Sequence, residues 1–264
     1  MITYNPVAAL SAFVPVVAMQ GYLIAMGILV IVGTLLDVMH KKSARYFFEA
    51  GKTSKANAKR QVDGGEKISI AVHTAVVDVL ASGEFCNPRR RVAHLLTMYG
   101  FILFLIATVV LVFSYPTPAT TPPAYWPALW HLGALMVCIG GYWFWFFIRV
   151  DVAAEGYPWY RLVRADLFIL SLLATTTFAL IWSVLQRSDS DVLATLSFVL
   201  FIVASTVLFG SVLWSKFAHM FFKPAAAFQR RVSEAEGSRD NLPPPADAPK
   251  QFGLGINREL PRHY

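Results

Sequence analysis

From Arg89 to Tyr115 the chain reads RRRVAHLLTMYGFILFLIATVVLVFSY, three arginines and a histidine leading directly into an unbroken apolar run. A helix crossing the ~30 Å hydrocarbon layer needs about 20 such residues, and cationic residues at one end hold that end at the cytoplasmic surface. His94 therefore stands where the membrane begins. An imidazole at that level serves as an interface side chain, a helix cap or a metal ligand.

Further apolar runs of spanning length lie near 12–36, 129–148, 166–186 and 193–222. The sequence thus predicts an all-α integral membrane protein, a five-transmembrane-helix bundle. The fifth run, at 1.5 Å per residue, would be about 45 Å long, so it must tilt or emerge from the bilayer at one end. Only 15% of the 264 residues are charged and mean hydropathy is +0.52, whereas soluble domains carry roughly a quarter charged residues. The first run lacks a basic segment before it and a small-residue cleavage site after it, so it is expected to be retained as a helix rather than removed as a signal peptide.

The basic residues set the orientation. Of 23 Lys and Arg, 22 fall in alternate connections: 37–94, 149–165 and the segment from Lys216 onward. The positive-inside rule makes that side cytoplasmic, with the N-terminus outside and the C-terminus inside. The net charge of +7 is read as a record of topology and not as a nucleic-acid footprint. Four regions follow: residues 1–36 with the first span, a cytoplasmic loop 37–94, a four-helix membrane region 95–222, and a cytoplasmic tail 223–264.

Within the first loop, KKSARYFFEAGKTSKANAKR is a soluble-looking basic patch. After Gly64-Gly65, residues Ile68, Val72, Val76 and Leu80 recur about a turn apart, predicting an amphipathic helix at the interface or against a partner. The outer connection SYPTPATTPPAYWPALW is uncharged and proline-rich, and ends in an aromatic belt of Tyr125, Trp126 and Trp130. YWFWFFIR closes the third span with a second belt. Beyond Pro224 the chain turns polar, and its stretch SEAEGSRDNLPPPADAPK, rich in proline and charge, is expected to be irregular until it docks on something.

Two cysteines, Cys86 and Cys138, are too few to hold an iron–sulfur cluster or a disulfide framework. Histidines beside the spans carry more information, because ionisable groups at these depths are costly. His40 ends the first span beside Lys41 and Lys42, an interface position. His73 lies on the amphipathic segment and is a minor candidate for touching a cofactor or quinone. His131 opens the third span, either meeting a quinone headgroup or capping its helix; Gln20, mid-span, is a weaker quinone candidate and could equally bond a neighbouring helix. Asp37 and the cluster Tyr142 to Phe147 complete the quinone candidates.

His94 and His219 are brought to one depth by the topology. Two neutral imidazoles on adjacent helices can hold a haem iron from both faces, and Arg89, Arg90, Arg91, Lys216 and Lys223 are placed to pair with haem propionates. The alternative is that both are ordinary interfacial histidines.

RRVAHLLTMYGFILFLIAT resembles the second helix of the nitrate-reductase gamma-type cytochrome b membrane anchors, through Arg91, His94, Gly100, Phe101 and Thr108. WSKFAHMFFKP, from Trp214 to Pro224, resembles the last helix of that family. The resemblance implies that His94 and His219 are the axial ligands of a haem b. Members with two haems carry a second histidine pair about ten residues deeper; Phe104 and Phe201 occupy those neighbourhoods here, limiting the chain to one haem b or none. One haem near the cytoplasmic face could not by itself move electrons across the membrane.

The segments ASGEFCNPRRRVAHLLTMYGF, GGYWFWFFIRVDVAAEG, WSKFAHMFFKPAAAFQ and SRDNLPPPADAP are also similar to the membrane subunits that accompany dissimilatory adenylylsulfate reductase in sulfur-oxidising bacteria. That similarity implies a bacterial inner-membrane location and a cytoplasmic iron–sulfur/flavoprotein oxidoreductase as partner, with quinone as the electron-exchange partner. Catalysis on the sulfur substrate would lie in that partner. The alternative is a haem-free structural anchor that only docks the catalytic complex. A small transporter is disfavoured, since no inverted repeat and no span broken mid-membrane is visible.

Overall fold

The computed structural model describes residues 2–238 except 41, 84, 86, 152–155, 189 and 215–218; side chains are described throughout that range save those of 42–46, 219, 221 and 222. Among the described residues the chain is helical and contains no strand. Five helices are long and apolar enough to cross a membrane, which makes this a multi-pass membrane protein. The spans predicted for the first four runs match α2, α5, α6 and α7 below to within a few residues, the largest offset lying at the start of α5.

A short helix α1 (Pro6–Leu10) precedes the first span. It begins there because Pro6 presets the first turn and Asn5 caps it, accepting from the Val7 and Ala8 amides. The Asn5 side-chain amide also donates to the Tyr115 carbonyl at 3.0 Å, tying the N-terminal end to the far end of α5. Helix α2 (Val16–His40) is the first span. It buries Met19, Met26, Gly33 and Asp37, a stripe of near-heptad spacing like a coiled-coil seam.

Helix α3 (Lys42–Ala56) and helix α4 (Gly64–His73) follow, the latter capped by Asp63 and continued by a stretch of wider π turns over Thr74–Leu80. Helix α5 (Pro88–Ser114) starts on the same Asn-Pro device as α1, with Asn87 accepting from the Arg89 and Arg90 amides. Helix α6 (Tyr125–Trp143) runs on through π turns to Ile148. A single 3-10 turn, Arg164–Asp166, leads into helix α7 (Leu167–Leu185). Helix α8 (Asp191–Gly210) is the fifth span and helix α9 (His219–Ala235) follows it.

The five spans pack in a ring, α2 on α5, α5 on α6, α6 on α7, α7 on α8 and α8 back on α2. Its centre is filled by Phe104, Leu111, Trp130, Ala134, Ala179 and Trp182. The α5–α6 seam is the closest approach. An added Cβ at Gly133 would lie 2.5 Å from the Phe104 nitrogen, and one at Gly100 would lie 2.7 Å from the Gly133 carbonyl oxygen, so only glycine permits this contact. That gives Gly100 a packing role.

The structure refines two sequence expectations. The fifth apolar run was expected to extend to residue 222, tilting or emerging from the bilayer at one end; α8 instead ends at Gly210. The chain turns at Ser211 and seats Val212 in the notch that Gly33 leaves on α2, where a Cβ on Gly33 would lie 2.9 Å from the Val212 Cβ. Of the stretch 233–250, expected to be irregular until it docks, residues 233–235 form the end of a docked helix, α9, which carries Pro224 in its first turns. Residues 239–264 lie outside the described residues.

Helix α9 folds because it has somewhere to pack. Its face meets α3 and α4. Ser54 Oγ donates to Ser233 Oγ at 2.7 Å, Gln229 donates to the Phe47 carbonyl, and Arg60 Nε donates to the Ala235 carbonyl. Arg231 reaches Asp78 through two bonds of 2.9 Å. Bonding to the Asp78 carboxylate, with its charge, raises Arg231 further above its ordinary basicity. The basic patch, α4 and the start of the tail thus form one helical layer at one end of the ring, the end at which α5 begins. Ile68, Val72, Val76 and Leu80 face outward from that layer, and the Tyr99 hydroxyl donates to the Leu80 carbonyl, joining the apolar stripe to the outer surface of α5.

Candidate functional site

The N-terminal end of α5 is built on the turn that precedes it. The π turns of Thr74–Leu80 end when the Ala81 amide donates to the Val76 carbonyl and the Gly83 amide to the Val77 carbonyl at 2.7 Å. Between them Ser82 takes φ 49°, the only left-handed non-glycine among the described residues. A side chain in that conformation costs roughly 1–3 kcal/mol, and such strain persists only where surrounding contacts over-determine it. Ser82 is fully buried.

Three side chains of α5 grip this turn. Arg91 Nε donates to the Ala81 carbonyl at 2.8 Å, Tyr99 to the Leu80 carbonyl at 2.8 Å, and His94 Nδ1 meets Ser82 Oγ at 3.0 Å. Phe85, from the segment between turn and helix, lies against the imidazole with ring centroids 4.8 Å apart. The Arg90 guanidinium is 5.6 Å from the Phe85 ring centre, and Lys223 Nζ is 5.0 Å from it. The Phe85 ring is thus shared by His94 and two cations, one from α5 and one from α9.

Lys223 is four residues after His219, so the two positions share a face of α9. The backbone of His219 opens that helix, and its side chain lies outside the described residues, as does Lys216. Arg89 is exposed and holds its helix start through its amide on Asn87. Of the five cations predicted around the site, Arg90 and Lys223 are therefore gathered on the Phe85 ring that also meets His94, while Arg91 is committed to the turn.

The remaining predicted residues are placed elsewhere. His131 Nδ1 lies 2.7 Å from the Pro127 carbonyl and its Nε2 lies 2.7 Å from Ser183 Oγ, so both ring nitrogens are engaged in a strut between α6 and α7. Gln20 donates to the Val112 carbonyl at 3.4 Å, an α2-to-α5 contact. Tyr142 bonds Thr177 on α7 at 2.8 Å, and Asp37 is buried near the C-terminal end of α2. His73 lines a cleft of 290 Å³ between α4 and α9 with Glu66, Ser69, Arg231 and Glu234. That volume is at the lower limit of small-molecule sites. Deep in the ring, Phe104 packs 5.1 Å from Trp130 and Phe201 stacks 5.8 Å from Trp182, filling the level where a second histidine pair would stand.

Ser82, Phe85 and Tyr99 are the residues of this neighbourhood that the sequence did not single out. Ser82-Gly83 is a turn dipeptide and Asn87-Pro88 a helix start, so the local signal was present, but it said nothing of which side chain the turn would face.

An axial haem ligand needs one ring nitrogen held by a neighbour so that the other is oriented, and charged partners at the propionates. Ser82 at Nδ1 and the pair Arg90 and Lys223 fit those requirements. Among the described residues no group of three or more His, Cys, Asp or Glu converges as a metal cage. No protein-family model, curated protein or solved structure matches the chain.

Proposed function

We propose that the chain is a membrane anchor and electron-transfer subunit linking a cytoplasmic iron–sulfur/flavin oxidoreductase to the quinone pool. A single haem b would be held by His94 and His219 at the cytoplasmic end of the ring. The observation that carries this reading is the Ser82–His94 bond at 3.0 Å, made by a buried serine in a strained backbone conformation. The similarity to the membrane subunits of adenylylsulfate reductase supports that enzyme as the partner and the bacterial inner membrane as the location.

Bound there, haem b supplies a one-electron couple. The chain's own residues do the rest. Ser82 fixes the tautomer and rotation of His94 through Nδ1. Phe85 packs against one side of the imidazole, which is otherwise exposed. Arg90 and Lys223 place positive charge where carboxylate groups would sit, which favours retention of an anionic ligand and raises the affinity for an added electron.

A dithionite-reduced minus oxidised spectrum of purified protein tests the reading. A b-type difference spectrum is expected, abolished by His94→Ala and by His219→Ala. Folded, cofactor-replete protein without such a spectrum overturns the ligand assignment.

A second reading, a haem-free anchor, is favoured by the cytoplasmic layer itself, which the Arg231–Asp78 pair and the Ser54–Ser233 bond hold together without any cofactor. Under it, both histidine variants recruit the partner as well as the parent chain does. Truncation before residue 239 then separates a layer-borne docking surface, which survives, from one borne by the last residues.

A further inference from the structure

The connection between α6 and α7 is built around a cation that water does not reach. Arg149 is fully buried; its guanidinium donates to the Pro158 carbonyl at 3.1 Å, to the Arg161 carbonyl at 2.7 Å and to the Asp166 carboxylate. It lies 4.2 Å from the Trp145 ring centre and 5.4 Å from that of Tyr157. Asp166 in turn accepts from the Val163 amide at 2.9 Å. Tyr157, Pro158, Arg161 and Asp166 are thus held on Arg149, and Val163 on Asp166.

What this clamp presents outward is apolar. Trp159 is 56% exposed, Tyr160 70% and Leu162 64%. These rings continue a column on the outer surface of α6. Tyr142 stacks on Phe146 at 6.1 Å, Phe146 meets Trp159 at 6.5 Å, and Trp159 meets Tyr160 at 5.7 Å. The column begins inside a membrane span and ends in the connection, so the exposed rings extend the lipid-facing surface without a break. Arg161 and Arg164 flank Leu162, both are exposed, and neither makes an ion pair with a carboxylate among the described residues. Trp, Tyr and Arg together are the side chains that settle at the headgroup level.

We propose that residues 157–164 form a rigid strap lying in the cytoplasmic headgroup layer, with Trp159, Tyr160 and Leu162 at the acyl boundary and Arg161 and Arg164 on the phosphates of anionic lipids. The buried Arg149 holds the strap at that depth. The proposal is independent of any haem.

The test uses the full chain in nanodiscs. Trp159 emission is isolated as the difference between the parent protein and Trp159→Phe, then quenched either with phospholipid brominated near the top of the acyl chain or with aqueous iodide. Brominated lipid is expected to remove the larger share. Spin-labelled phosphatidylglycerol is expected to outcompete phosphatidylcholine for the protein's lipid shell, and Arg161→Gln and Arg164→Gln to reduce that preference, each by up to about fivefold. Quenching by iodide with no effect of brominated lipid overturns the proposal. So does iodide shielding that develops only when a soluble protein partner is added, which would make the ridge a protein-docking surface. An unchanged lipid preference in the double arginine variant overturns the phosphate contacts.

Discussion

Ser82 Oγ and His94 Nδ1 meet at 3.0 Å across the turn that feeds the chain into α5. Serine there does two things that glycine and alanine would each do by half. Glycine would accept φ 49° without strain but has no hydroxyl; alanine would keep the strain and lose the bond. Ser82→Ala is expected to destabilise the protein by about 1–2 kcal/mol, since the imidazole nitrogen loses its partner. Ser82→Gly is expected to be less damaging, because release of the left-handed strain offsets part of that loss. Thermal unfolding in detergent, followed by circular dichroism, ranks the two. Equal losses would mean that the backbone conformation carries no strain.

The α5–α6 seam predicts a sharp contrast between glycines. Gly133→Ala places a Cβ against the backbone of Phe104, which cannot swing aside, and is expected to cost roughly 1–3 kcal/mol or more. Gly27→Ala has nothing within 4 Å and is expected to be neutral or stabilising by up to ~1 kcal/mol. The yield of monodisperse protein and its melting temperature report both. A tolerated alanine at 133 would show that the seam can open.

Removing one member of the Arg149–Asp166 pair leaves the other buried without its counter-charge. Asp166→Ala is expected to cost about 3–5 kcal/mol and to expose the connection after α6 to protease. Arg149→Lys should fail to rescue, because one ammonium cannot reach two carbonyls and a carboxylate in the fork geometry of a guanidinium. Limited proteolysis of the two variants in nanodiscs makes the comparison, and a lysine variant as resistant as the parent would sink the idea.

Asp78 and Arg231 link α4 to α9 at the rim, with side chains 14% and 33% exposed. Partial exposure limits the pair to about 1 kcal/mol, so Asp78→Asn should loosen α9 without unfolding the spans. Hydrogen exchange of residues 225–235 is expected to rise in that variant. The exchanged pair, Asp78→Arg with Arg231→Asp, should restore much of the protection. Protection unchanged by Asp78→Asn would assign the docking of α9 to its serine and carbonyl bonds alone.

The spans were legible because lipid allows one solution, about 20 apolar residues in a helix that satisfies its own backbone. The end of α8 was not, since FGSVLW is apolar enough to continue and stops only because Val212 finds the Gly33 notch on another helix. Helix α9 was hidden for the opposite reason. Its sequence is polar and carries Pro224, so its order depends on Phe47, Ser54, Arg60 and Asp78, residues more than 140 positions earlier. His94 announced itself by its place between arginines and lipid. Its partner did not, because a left-handed serine after a π turn leaves no periodic trace.

The glycine contact between α5 and α6 has a mechanical consequence. Where two backbones touch, there are no intervening rotamers to adjust, so the helices have no slip plane. Any shift of His94 along the bundle axis must carry with it Trp130 in the core and Tyr125 and Trp126 at the start of α6. The depth of the imidazole is therefore gauged by rings at the far end of the bundle.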